Sequence, residues 1–218
     1  MGHDLFMAII LGLDVSTSVT GYCIVDSDIP PDDKGSHIIE IDRIEFGKFG
    51  KDHPACKTMW EKADRVKQAL IQIESNVYLK TRRVPGIDRV VLEEALMSFR
   101  PGMSSAVTIS TLMRFNGIVS YLAREATHVE PEYIGSAHAR KLCGMKLQRT
   151  AIAGPQKEQV FKYMSEHDLK HVQWPLTKTG KVVPWSRDAT DAYVIARSAA
   201  VNGPIVPVKK AKKSKATT

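Results

Sequence analysis

Apolar residues recur along this chain in two different rhythms. Ile9, Ile10, Leu11 and Leu13 form a run from Ala8 that ends on one acid, Asp14. A small-residue turn, Ser16-Thr17-Ser18, follows, and a second β-like run extends from Thr20 to Asp26. Asp28 to Gly35 is polar and broken by Pro30-Pro31, so it predicts a loop. His37 to Phe46 then alternates apolar and polar residues as a third strand would. With Trp60 the rhythm changes: Trp60, Ala63, Val66, Leu70, Ile73 and Val77 recur at steps of three and four, an amphipathic helix that stops before Pro85-Gly86.

The remaining elements alternate. Arg89 to Glu93 is a short apolar run ending in acids, the pattern of a buried strand. The loop Ser98 to Gly102 precedes a long helix that Ser104 or Ser105 can cap and that runs to about Ala126. His128 to Ile134 predicts a fifth strand, weakened by Pro131. Helices are expected at Ser136–Cys143, Pro155–Glu166 and Arg187–Asn202, the last ended by Gly203-Pro204. An antiparallel three-strand meander followed by alternating α and β predicts an α/β fold: a mixed five-stranded sheet with helices on both faces. No internal repeat or domain boundary is evident, so one domain is expected over residues 1–203, with a tail at 204–218.

Composition adds limits. The 218 residues are 43% hydrophobic and 25% charged, ordinary for a globular protein. No apolar run approaches the roughly 18–20 residues of a membrane span, and the patch before Asp14 has no Lys or Arg ahead of it, unlike a signal peptide. Three irregularly spaced cysteines argue for a reducing, intracellular compartment. The net charge is +7, yet five lysines (Lys209, Lys210, Lys212, Lys213 and Lys215) lie after Gly203 without an acid among them. The basic character is therefore concentrated in the tail, which suits a polyanion such as nucleic acid or serves only as a solubilising arm.

A carboxylate at the end of a buried strand needs a partner, because unpaired buried charge costs several kcal/mol. Two more acidic sites fall where such a sheet can bring them near Asp14. Glu93 and Glu94 end the fourth strand, and Asp188 and Asp191, spaced i to i+3, share one face of the last helix. Singly, each has a plain alternative: a turn-bonding strand-end Asp, or first-turn helix acids favoured by the macrodipole. Together they form a repelling cluster that a hard divalent cation would neutralise, magnesium or manganese rather than zinc. Two such ions roughly 4 Å apart suit phosphodiester cleavage.

These blocks, in this order, resemble the RNase H-like nuclease superfamily and its RuvC-type Holliday junction resolvases. MAIILGLDVSTSVTGYCIV resembles that family's first strand and hairpin, VVLEEALM its fourth strand, KEQVFKYM its K-E-Q-V segment and DATDAYVIARSAA its terminal acidic helix. The likeness spans roughly Met7 to Ala200. It implies an RNase H-like sheet, with Asp14, Glu93, Asp188 and Asp191 as catalytic acids holding two Mg2+ ions, Mn2+ substituting. It implies that Lys157 neutralises charge near the scissile phosphate. A second basic residue falls at Arg140 or Lys141. The family's Pro-Gly after the first acid is Val15-Ser16 here, and its aromatic residue three positions after the Glu is Leu96. Phe99, with Arg100 reaching phosphate, is the substitute that the longer loop offers. The segments Asp26–His37 and His171–Trp185 are also longer. In the latter, Trp174, Lys178, Lys181 and Trp185 form either a basic-aromatic DNA contact or an edge of the core.

The resemblance implies a magnesium-dependent, structure-selective endonuclease that resolves four-way junctions by paired symmetric nicks, leaving 5′-phosphate and 3′-hydroxyl ends. Such nicks require a homodimer, with the helix Ser105–Ala126 as part of its interface, acting where DNA is held, in cytoplasm, nucleoid or an equivalent compartment. Flaps, other branched DNA and RNA–DNA hybrids are alternative substrates, and a catalytically silent DNA-binding relative is an alternative role. An actin-like or sugar-kinase ATPase would need two lobes and a glycine-rich adenosine site, and the chain has no Gly-Gly pair. His167-x-x-x-His171 and His53-x-x-Cys56 have metal-like spacing without a third ligand, and Lys80, Arg82 and Arg83 form a basic cluster.

Overall fold

The fold is built on β1 (Ile9–Asp14), all six residues of which are buried. A computed structural model describes residues 8–32, 34–47, 54–94, 105–148 and 151–202. β1 is joined by β2 (Val19–Asp26), β3 (Ile38–Glu45), β4 (Arg89–Glu93) and β5 (Glu132–Ile134) in one sheet of order β3-β2-β1-β4-β5. The first three strands pair antiparallel, whereas β4 joins β1 and β5 joins β4 in parallel. This is the mixed sheet that the residue pattern predicts.

Side-chain alternation divides the core in two. Ile9, Leu11 and Leu13 face α1 (Met59–Thr81) and α2 (Ala106–Thr127), which contribute Val66, Leu70, Phe115 and Val119. Ala8 and Ile10 point the other way, into a second core with Val160 and Met164 of α4 (Gln156–Glu166) and Tyr193 and Ala196 of α5 (Ser186–Asn202). A short helix, α3 (Ser136–Leu142), packs against α5 on that side.

The α2 helix has the bounds its pattern predicts, whereas the start of β5 differs from expectation for a local reason. The α2 helix is capped by Ser105, whose hydroxyl accepts from Thr108 N, and it ends on a left-handed His128 at φ 58°. His128 is thus consumed by the helix cap, and Pro131 has no N–H to offer a neighbouring strand. The fifth strand is therefore only Glu132–Ile134, not the seven residues from His128.

Two glycines set how close α5 lies to the sheet. A Cβ on Gly12 would overlap the Ala192 carbonyl oxygen and lie 2.7 Å from Ala196 N. One on Gly21 would overlap the Asp188 carbonyl and lie 2.7 Å from Ala189 N. Gly21 is the register partner of Asp14. The missing side chains let the start of α5 rest directly on the strand end that carries Asp14. Among the described residues, no helix is long and apolar enough to cross a membrane.

Candidate active site

The parallel pairing of β1 and β4 brings two acids to one sheet edge. Leu13 pairs with Leu92, so Asp14 and Glu93 are the next residues on adjacent strands. Alternation turns both toward the α5 side, since Leu13 and Leu92 belong to the opposite core. The strand end is pinned from both sides: Asn116 Nδ2 of α2 donates to the Glu93 carbonyl at 3.2 Å, and Glu94 N donates to Ile134 O at 2.8 Å. Asp188 and Asp191 enter from the first turns of α5.

A lysine joins the three aspartates. Lys157, in the first turn of α4, places Nζ 2.5 Å from Asp188 Oδ1, 3.4 Å from Asp14 Oδ2 and 3.5 Å from Asp191 Oδ2. Arg140 of α3 brings Nη2 to 3.6 Å from Asp191 Oδ1. The hydroxyl of Ser136, at the start of α3, donates to the Glu93 carboxyl.

Burial and crowding decide the protonation of this cluster. Burial, then the negative charge of Asp14, pushes Glu93 up to about 7. Burial, then the same Asp14 charge, pushes Asp191 up to about 6. Burial also raises Asp14, with the Lys157 charge opposing it. Asp14 and Glu93 are hydrogen-bonded to each other, so this pair of carboxyls favours holding a proton between them. For Lys157, burial would favour the neutral amine, but the Asp14 charge and the Asp188 hydrogen bond override it and raise its pKa.

The donor set fits a hard divalent cation. It offers carboxylate oxygens without histidine or thiolate, and four carboxyls whose charge the Lys157 ammonium and the Arg140 guanidinium do not fully offset. Among the described residues no three acids already close around a single ion position. The Lys157 ammonium lies in their midst, so a metal would have to displace it. Asp14, Glu93, Asp188 and Asp191 are the residues that would hold it.

Other sequence-identified residues fall elsewhere. Of the pair Arg140 and Lys141, Arg140 reaches the cluster, while Lys141 is exposed and pairs with none of the four acids. Leu96, Phe99, Arg100, His53 and the basic tail lie outside the described residues. Trp174 is half-buried, its ring 5.8 Å from Phe161 and 6.0 Å from Trp185, over which Arg43 stacks at 4.1 Å. The tryptophans thus close an edge of the core. Lys80 pairs with Glu40, and Arg83 with Asp88. His167 stacks on Tyr163 at 4.2 Å, and no third ligand joins it and His171 among the described residues. Ser136 and Asn116 were not legible as site residues. A serine after Gly135 and an asparagine in an apolar helix carry no sequence signal until the topology sets them beside Glu93.

No family model and no curated protein matches this sequence. Solved structures do resemble the fold. Thermus thermophilus RuvC in complex with Holliday junction substrate superposes with a TM-score of 0.55 at 14% identity, over 89% of this chain and 93% of that one. Thermus thermophilus RuvC alone gives a TM-score of 0.50 at 17% identity, over 88% and 93% of the two chains. The yeast mitochondrial Holliday junction resolvase Ydc2 gives 0.48 at 12% identity, over 89% and 78%. Over most of its length this chain thus shares its overall architecture with RuvC: the protein has the RNase H-like fold of the RuvC-type resolvases.

Proposed function

We propose that this protein is a magnesium-dependent nuclease that cuts branched DNA, with four-way junctions as its principal substrate. The observation that carries the reading is the gathering of Asp14, Asp188 and Asp191 around the Lys157 ammonium, with Glu93 hydrogen-bonded to Asp14, on a RuvC-type fold. Two Mg2+ ions, or Mn2+ in their place, would supply water activation and stabilisation of the leaving oxygen when bound. The chain's own part is electrostatic and positional. Asp14 and Glu93 on neighbouring strands and Asp188 and Asp191 on α5 hold the ligand oxygens on rigid elements. Lys157, once released from Asp188, is free to neutralise charge on the phosphate being cut. Arg140 orients Asp191 and offers a second cation to the same phosphate. The products are a 5′-phosphate and a 3′-hydroxyl.

Paired nicks across a junction call for two such sites related by a two-fold axis, hence a homodimer. On α2, Val107, Met113 and Tyr121 are exposed while Phe115 and Val119 face the sheet, so the outer face of that helix is available as part of the interface. The work is done in a compartment that holds DNA.

A synthetic four-way junction with labelled arms tests the reading. Purified protein with magnesium should nick it at symmetric positions, and Asp14→Asn should abolish nicking while leaving junction binding within a few-fold. Robust nicking by Asp14→Asn, or none by the unaltered protein under any divalent cation, would overturn it.

A further inference from the structure

The long segment between α4 and α5 folds into a hairpin beside the acidic cluster. Leu176 and Val182 form an antiparallel bridge, Thr177 N donates to Lys181 O at 2.7 Å, and Gly180 turns the chain at φ 76°. Lys178 at the tip and Lys181 on the returning strand are both exposed. The base is anchored by Val183 N donating to Pro175 O at 3.0 Å and by Trp174 packing on Phe161.

Between this hairpin and the start of α4 lies an open cleft of about 650 Å3. Lys181, Val182 and Pro184 form one wall, and Pro155 and Lys157 form the other. Arg187 and Glu158 line it too, joined by paired 3.0 Å hydrogen bonds, with Arg187 stacked 4.5 Å over Phe161. Asp188 lines it as well, so the cleft and the acidic cluster share Asp188 and Lys157. Anything occupying the cleft therefore lies against the reacting position.

The chemistry of the lining selects the occupant. Lys157 is engaged by the aspartates and Arg187 by Glu158, so Lys181 is the wall cation with no carboxylate partner among the described residues. An unneutralised cation above proline and valine surfaces suits a phosphate joined to a sugar and base. The volume lies within the roughly 300–1,000 Å3 of small-molecule sites, enough for a nucleotide unit of a strand that enters from the open side.

We infer that this cleft is a nucleic-acid subsite, in which Lys181 receives the backbone phosphate next to the one that is cut. The hairpin then acts as a guide that sets the strand in line with the acids. The inference rests on the proposed nuclease reading and extends it to residues outside the acidic cluster.

Binding to a fluorescent four-way junction, without divalent cation and across a salt series, tests it. Lys181→Ala should weaken binding about three- to tenfold at ~0.1 M salt and reduce the slope of log K against log salt by roughly 0.7–0.9, the loss of one phosphate contact. Lys67→Ala, an equal charge loss on the exposed side of α1, should change neither. Full affinity and an unchanged slope for Lys181→Ala, with the unaltered protein binding normally, would overturn the cleft assignment and leave the nuclease reading standing. Equal weakening by both variants would likewise overturn it, since the effect would then be one of net charge. Failure of the unaltered protein to bind branched or single-stranded DNA would overturn both.

Discussion

The Lys157 ammonium lies 2.5 Å from Asp188 Oδ1 and ties the start of α4 to the start of α5. With Asp14 and Asp191 within 3.5 Å of the same nitrogen, a single side chain offsets three carboxylates. Lys157 thus occupies the position to which a divalent cation would be drawn.

Removing that ammonium should expose the repulsion it offsets. Lys157→Met is expected to lower the metal-free stability by on the order of 1 kcal/mol, a figure kept small because the lysine side chain is 43% exposed. For a chain of this size that is about 2–4 °C in Tm. Magnesium should then raise the Tm of the variant by more than it raises that of the unaltered protein, because no lysine competes for the oxygens. Thermal melts with and without the metal check this, and equal shifts in both proteins would refute the competition.

The raised acids give magnesium binding a defined pH dependence. Glu93 titrates near 7 in the fold against 4.5 when free, and Asp191 near 6 against 3.8. The folded state therefore binds more protons than the unfolded state between these limits. Metal-free stability should fall as pH rises from about 4.5 to 7, by at most about 1.4 kcal/mol per pH unit for each group. Metal binding needs both carboxylates ionised, so the Tm gain from magnesium should grow over pH 5.5–8. A gain independent of pH would contradict the assignment of these acids as ligands.

Gly21 is expected to tolerate no side chain. In Gly21→Ala the new methyl meets the Asp188 backbone, and α5 must move off the sheet. A cost of about 1–3 kcal/mol is expected from such overpacking. Nicking activity should fall at least about tenfold, since Asp188 and Asp191 move with the helix while Asp14 does not. Denaturant unfolding and junction-nicking rates on the same preparation measure both, and unchanged nicking would show that the spacing is not critical.

His37 should contribute stability of the opposite sign on the pH axis. Its Nε2 lies 2.9 Å from Tyr193 Oη, whose proton goes to Asp168 Oδ2 at 2.7 Å, so His37 donates from Nε2. Its buried Nδ1 has no hydrogen-bond partner among the described residues. Burial lowers the His37 pKa below its ordinary 6.5, although Asp168 opposes this. The neutral ring is favoured in the fold, so its contribution is complete above pH 6.5 and is lost as the pH falls. In metal-free urea unfolding, the midpoint at pH 5.5 relative to that at pH 7.5 should be higher for His37→Phe than for the unaltered protein, and an unchanged difference would refute the role given to His37.

The order of elements was legible because it rests on local periodicity. The run ending at Asp14, the three-and-four rhythm from Trp60 and the acids spaced i to i+3 in α5 each express a strand or helix burying one side. The grouping of Asp14, Glu93, Asp188 and Asp191 could also be anticipated, since buried acids at element ends need partners. Sequence by itself thus determined which elements form, that they make a mixed sheet and which acids need a shared counter-charge. Only the tertiary structure decided the rest. The parallel register of β1 and β4 set Asp14 beside Glu93, and the bare backbones of Gly12 and Gly21 set the depth of α5. Packing of α3 chose Arg140 over Lys141 and brought Ser136 to Glu93, and the folding back of residues 175–183 set Lys181 in the cleft that Asp188 also lines. Each of these is a contact between residues distant in the chain, decided by which surfaces can approach without a clash or an unpaired charge. Local periodicity carries no record of such contacts.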